Sequence, residues 1–203
     1  MKASQQRTKN QEQNKNIGTR FFNANIRSVE GDGNERRKII SFSSEEPYER
    51  WFGPEVLDHD EDAVDLSRLN SIGVVLYNHN DDKVIGKIIR AWIEDGRGCA
   101  EIEFDDDEFS DVIFKKVDKQ TLKGVSVGYM VTNWEDVSSG ESSTDGRFEG
   151  PCSIARKWLP YEISIVSVPA DPTVGVERKF NVENKSNDLD LFLKIIQNNK
   201  NNL

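Results

Sequence analysis

Histidine is scarce in this 203-residue chain, which has two, His59 and His79. Cysteine is equally scarce: Cys99 and Cys152 stand far apart, with no metal-type spacing between them. A zinc site needs three or four nitrogen or sulfur ligands, in spacings that pair them. D-H-D-E-D at 58–62 and H-N-D-D at 79–82 offer nitrogen and carboxylate, but neither has the paired-histidine pattern. A metal-dependent hydrolase is therefore disfavoured, and neither a metal nor a cofactor is expected. The two cysteines read as free thiols in a reducing compartment. A signal peptide is lacking, as is any apolar run long enough to cross a bilayer, so neither secretion nor a membrane role is expected. There is no basic stripe outside a sparse N-terminal arm, and the formal net charge is -9. Nucleic acid is thus a poor partner. Internal repeats and a G-x-x-x-x-G-K-[ST] phosphate loop are absent too.

What is present is a compact middle with polar ends. Residues 1–17 carry almost no apolar side chains and read as a disordered arm. Residues 18–180 have the size of one domain with its own core. Residues 181–203 read as a polar tail whose apolar cluster, Leu189 to Ile196, suits a short helix. Acid gathers at 58–65 and 103–108, a pattern expected of solvated loops and a helix N-terminus. Alternating segments from Arg20 and from Arg36 flank a turn cluster and predict a hairpin. A second hairpin is predicted across E-D-G-R-G at 94–98. E-E-P-Y-E-R-W-F-G-P reads as a loop, and the strand I-G-V-V-L-Y-N-H ends on His79.

D-E-F-S-D-V-I-F-K-K-V predicts a helix with Phe109, Val112, Ile113 and Val117 on one face, a core face rather than a dimer contact. S-S-G-E-S-S-T-D-G at 138–146 reads as a flexible loop, followed by two strands, S-I-A-R-K-W and Y-E-I-S-I-V-S-V-P, the second stopped by Pro169. Some seven strands and one clear helix predict a mainly β fold with α (β-rich α+β), an antiparallel barrel or sandwich with a flanking helix.

L-K-G-V-S-V-G-Y-M, Leu122 to Met130, sets Ser126 inside G-x-S-x-G. In an α/β-hydrolase elbow a helix follows the serine and the histidine comes later in the chain. Here a strand follows, and both histidines come earlier, so the elbow is excluded. A serine hydroxyl still needs an imidazole to take its proton. His79 follows an apolar strand at a turn, where catalysis and a structural hydrogen bond are equally open to it. His59 lies in an acidic stretch and reads as solvated. Glu162 interrupts an apolar strand, which suits either an exposed strand end or a carboxylate with a buried partner. By period two, Glu162 and Ser164 share one face.

Taken in order, Y-N-H-N, V-I-G-K-I, L-K-G-V-S-V-G-Y and Y-E-I-S-I-V-S-V-P-A-D-P resemble the prohead (capsid maturation) serine proteases of tailed bacteriophages, from about Ser41 to Lys179. A-D-P-T-V-G-V-E-R resembles a subgroup joined to a major capsid protein. The resemblance implies an assemblin-like β-barrel with a Ser–His pair. It carries the histidine onto His79, the serine onto Ser126 and the glutamate of the E-I-S motif onto Glu162. Assemblins use a second histidine after the serine. This chain has none, which leaves Glu162 to orient the imidazole. Oxyanion donors are expected among backbone N–H groups near Ser126 or in a loop before Trp158, and Gly124 and Gly128 would let the backbone crowd close to substrate or else mark a bulge.

The implied activity is a serine endopeptidase acting inside the procapsid, in the host cytoplasm, on scaffold and capsid protein segments and on its own ends. Helix pairing of the assemblin kind would give a homodimer or higher oligomer. The alternative is an inactive barrel serving as scaffold or shell component.

Overall fold

The computed structural model describes residues 15–167 except 25 and 32. Expectations for the arm up to residue 14, for Pro169 and for the tail helix lie outside the described residues. Among those described there are ten strands and two helices. In chain order they are β1 (Ile17–Asn23), β2 (Ile26–Ser28), β3 (Arg37–Ser44), β4 (Tyr48–Arg50), β5 (Gly53–Leu57), α1 (Ser67–Ile72), β6 (Val74–Tyr77), β7 (Asn80–Glu94), β8 (Arg97–Phe104), α2 (Glu108–Asp118), β9 (Gly124–Val137) and β10 (Cys152–Val166).

All ten strands join one sheet in the order β1-β9-β10-β6-β7-β8-β3-β2, with β4 on β5 and β5 on β10. The β10–β5 and β10–β6 pairings are parallel and the others are antiparallel. The two terminal strands of this order, β1 and β2, are consecutive in the chain. β3 contacts both β1 and β9, and the Ala24 N–H donates to the Lys123 carbonyl at 3.2 Å. The sheet is thereby curled into a half-barrel. The β-rich α+β expectation holds.

Local chemistry explains several elements. Asp95 and Gly96, both at positive φ, form the two-residue turn between β7 and β8, as Asp-Gly favours. Asp107 caps α2, its carboxylate accepting from the N–H groups of Phe109 (3.0 Å) and Ser110 (3.1 Å). Ile113 and Val117 of that helix are buried, but Val112 is 45% exposed. The buried face instead centres on Ser110, Ile113 and Val117, with Phe109 and Phe114 at its margins.

Three further expectations change. E-E-P-Y-E-R-W-F-G-P is not a plain loop: Tyr48–Arg50 pairs with Gly53–Leu57 across a Trp51–Phe52 turn. The two strands expected after residue 152 are one 15-residue strand, β10, with register shifts between Ala155 and Glu162. These irregularities accommodate Pro160, which has no N–H for the ladder. The 138–151 segment is held in place by Arg147 on Asp58 (2.8 Å) and Arg156 on Asp145 (2.7 Å). The Arg156 hydrogen bond holds the Asp145 carboxyl far below the usual carboxylate range.

The core lies on the concave side. Val125, Val127, Tyr129 and Val131 of β9 meet Trp158, Ile163 and Ile165 of β10 there, with Phe42, Ile85 and Ile102. Tyr129 donates to the buried Glu55 at 2.5 Å, and Arg50 pairs with the same carboxylate at 3.1 Å. This network ties β5 under β9. Among the described residues no helix is long and apolar enough to cross a membrane.

Candidate active site

Alternation along β9 sends its odd residues into the core and its even residues, Ser126, Gly128 and Met130, to the opposite face. Antiparallel partners share a face. Register therefore builds a grid on that outer face. Phe21 of β1, Ser126 of β9 and Ser164 of β10 form one row; Thr19, Gly128 and Glu162 the next; Ile17, Met130 and Leu159 the third.

His79 reaches this grid from a tight turn. β6 ends at Tyr77, which pairs with Asn80 of β7, and the intervening Asn78 and His79 have φ of 53° and 56°. Positive φ at both central residues is the turn that matches strand twist. Asparagine suits the first position. At the second the side-chain-bearing histidine costs about 1 kcal/mol over glycine. The turn is pinned to β10: the Asn78 side chain accepts from the Ser167 N–H at 2.9 Å, and the His79 N–H donates to Ser164 Oγ at 3.1 Å.

The ring of His79 then meets Glu162, with Nδ1 2.7 Å from Oε1. A carboxylate only accepts, so Nδ1 carries a proton, and in the neutral ring the lone pair is on Nε2. Ser164 Oγ donates to the other oxygen of Glu162 at 2.8 Å, completing a buried bridge from backbone to carboxylate to imidazole. Gly128 makes room for this. A Cβ there would lie 2.4 Å from Glu162 Oε1 and 2.8 Å from the Tyr161 ring.

On its other side the imidazole packs edge-to-face on Phe21, with ring centroids 5.7 Å apart. His79 thus touches both ends of the Phe21–Ser126–Ser164 row. Ser126 is the middle residue of that row. Ser126 is fully buried, and its Oγ has no hydrogen-bond partner among the described residues. The same is true of His79 Nε2. Both uncommitted atoms belong to residues that this outer-face cluster gathers.

The structure thus brings His79, Ser126 and Glu162 to one face. It leaves His59 elsewhere, and His59 is not solvated. It is 5% exposed, with Nε2 2.6 Å from Ser43 Oγ and Nδ1 2.8 Å from the Leu57 carbonyl. Burial pushes its pKa down to about 4. No loop precedes Trp158, which lies within β10 and gives its N–H to the Ala63 carbonyl at 2.9 Å. Ser164 and Phe21 were missed as parts of the site. The period-two pairing of Ser164 with Glu162 was the one signal available for either of them. Among the described residues, no group of three or more His, Cys, Asp or Glu side chains could hold a metal ion.

The model of the caudovirus prohead serine proteases matches residues 53–188, which include all three residues of this cluster. The chain belongs to that family. It is 37% identical over 145 residues to a protein named major capsid protein, from Halomonas phage phiHAP-1. The match covers 68% of this chain but 23% of that protein, so the chain spans under a quarter of its relative's length. No solved structure matches.

Proposed function

We propose that this prohead protease family member is a serine endopeptidase that cleaves capsid and scaffold segments, and its own ends, during phage prohead maturation. The observation that carries the reading is the polarity of the His79 ring. Its Nδ1 is committed to the Glu162 carboxylate, while its Nε2 and the Ser126 hydroxyl of the adjoining strand row are both left without a hydrogen-bond partner among the described residues.

In this reading Nε2 takes the proton as Ser126 Oγ bonds to the scissile carbonyl carbon. The imidazolium, supported by the Glu162 charge, then protonates the departing amine as the C–N bond breaks. Water, deprotonated by the same nitrogen, hydrolyses the acyl-serine and returns the proton to Oγ. Ser164, fully used in holding Glu162 and the His79 N–H, is a positioning residue. The named relative, a much longer major capsid protein, supports a shell-protein substrate and action inside the procapsid.

The experiment is co-expression with the cognate shell protein, wild type against Ser126→Ala, with mass spectrometry of all termini. New termini are expected in wild type and none in the variant. Identical trimming in both would remove Ser126 from the chemistry. The relative's name also favours a second reading, a shell component without activity. That reading predicts intact masses in both samples and this chain retained stoichiometrically in assembled particles.

A further inference from the structure

The grid that carries Ser126 continues beyond it. Two rows along, Ile17 and Met130 face each other across β1 and β9, and they are 62% and 40% exposed. Leu159 of β10 flanks Met130 in the same row. Between this row and Ser126 lies the Tyr161 ring, set over Gly128. The row between them holds Thr19, Gly128 and Glu162, so the exposed apolar pair begins two rows from the buried serine, on the face opposite the barrel core. Exposed apolar side chains scattered singly need no explanation, but adjacent ones in register with a reactive centre do.

We infer that this outer face of β1, β9 and β10 is the substrate-recognition surface, and that Ile17 and Met130 determine specificity. It takes an extended segment of the polypeptide substrate, laid along β9. The inference rests on the Ser126 reading for its anchor point, and it adds a register. Four strand residues separate row 126 from row 130, roughly 13 Å. An extended substrate advances at the same rise, so a large apolar side chain about four residues from the scissile bond seats against Met130 and Ile17. The occupant is a peptide rather than a lipid or nucleic acid, because the patch is small, carries no cluster of basic side chains, and lies in strand register with a site suited to amide chemistry.

The test uses the full chain as Ser126→Ala, which binds without cutting. It is probed with overlapping 15-residue peptides of the cognate shell protein. Bound peptides are expected to share a large apolar residue, and Met130→Lys in the same background should weaken them at least tenfold. It should also gain peptides with Asp or Glu at that position, a switch that loss of fold would not produce. An unchanged binding set in Met130→Lys, or no peptide binding at all, would overturn the inference. Fluorophosphonate labelling of the wild-type chain separates the two readings. Peptide binding that depends on Met130 without labelling of Ser126 overturns the enzyme and leaves the recognition face standing. Labelling with Met130-independent binding overturns the face alone.

Discussion

Ser43 and His59 are joined by a 2.6 Å hydrogen bond, whereas Ser126 and His79 each keep an uncommitted atom on a shared face. Judged by the serine–histidine contact alone, the first pair would be the better catalyst. The far nitrogen reverses that ranking. His59 Nδ1 donates to the Leu57 carbonyl, a neutral acceptor, and the Gly98 N–H saturates Ser43 Oγ at 3.2 Å. Burial disfavours the imidazolium more than the nearby Glu45 and Asp58 charges favour it, so His59 resists taking a proton near neutrality. His79 Nδ1 meets a carboxylate instead, and its ring is a quarter exposed. A structural Ser–His pair is closed on every atom. The proposed reactive pair is closed on the side that orients the ring and uncommitted at Nε2 and the serine hydroxyl.

Swapping the damage between the two pairs tests this most severely. His79→Ala is expected to lower kcat on a mapped cleavage peptide by about 10⁴-fold or more, with the denaturation midpoint near wild type. His59→Ala should do the reverse. It opens a cavity beside Trp158 and orphans Ser43, costing about 2–4 kcal/mol in chemical denaturation, while each folded molecule still turns over. Loss of turnover from the change at His59, with the His79 variant still active, would invert the comparison. A smaller effect comes from Glu162→Gln, which keeps the shape and removes the charge. Turnover should fall by about 10³-fold, because an amide neither fixes the Nδ1–H tautomer nor supports the imidazolium. A rate within threefold of wild type across pH 6–9 would assign Glu162 a packing role.

Much of this was legible in the residues, and the gaps have physical causes. The turn at Asp95–Gly96 and the α2 cap at Asp107 were readable because local chemistry decides them. Ser126, His79 and Glu162 were nameable because ordered motifs held them, although they lie on three different strands and turns. His59 was misread as solvated. Its acidic neighbours describe the loop around it, but Ser43 and Trp158, which enclose it, come from distant strands. Two strands were read where one exists because Pro160 signals a break unless a bulge absorbs it. Gly128 showed as permissive backbone. Its use, clearing space for a carboxylate from the neighbouring strand, is visible only once the β9–β10 register is known.

Acid sharpens the comparison with the smallest of these effects. The folded pKa of His59 lies near 4, below the ordinary 6.5. Between those values the unfolded chain binds a proton that the folded chain does not. Stability from this group is therefore complete above about pH 6.5 and falls as pH drops toward 4, by about 3 kcal/mol in total. The carboxylates held low by their partners, Asp58 among them, begin to matter only near the lower end of that window. Urea midpoints taken from pH 7.5 to 4.5 should thus decline mainly through His59. His59→Gln can still donate to the Leu57 carbonyl and accept from Ser43, and it cannot titrate. It should flatten that decline while leaving the neutral-pH midpoint within about 1 kcal/mol of wild type. If the slope survives His59→Gln unchanged, the proton goes elsewhere, and the contrast between a closed pair and an open one loses its electrostatic half.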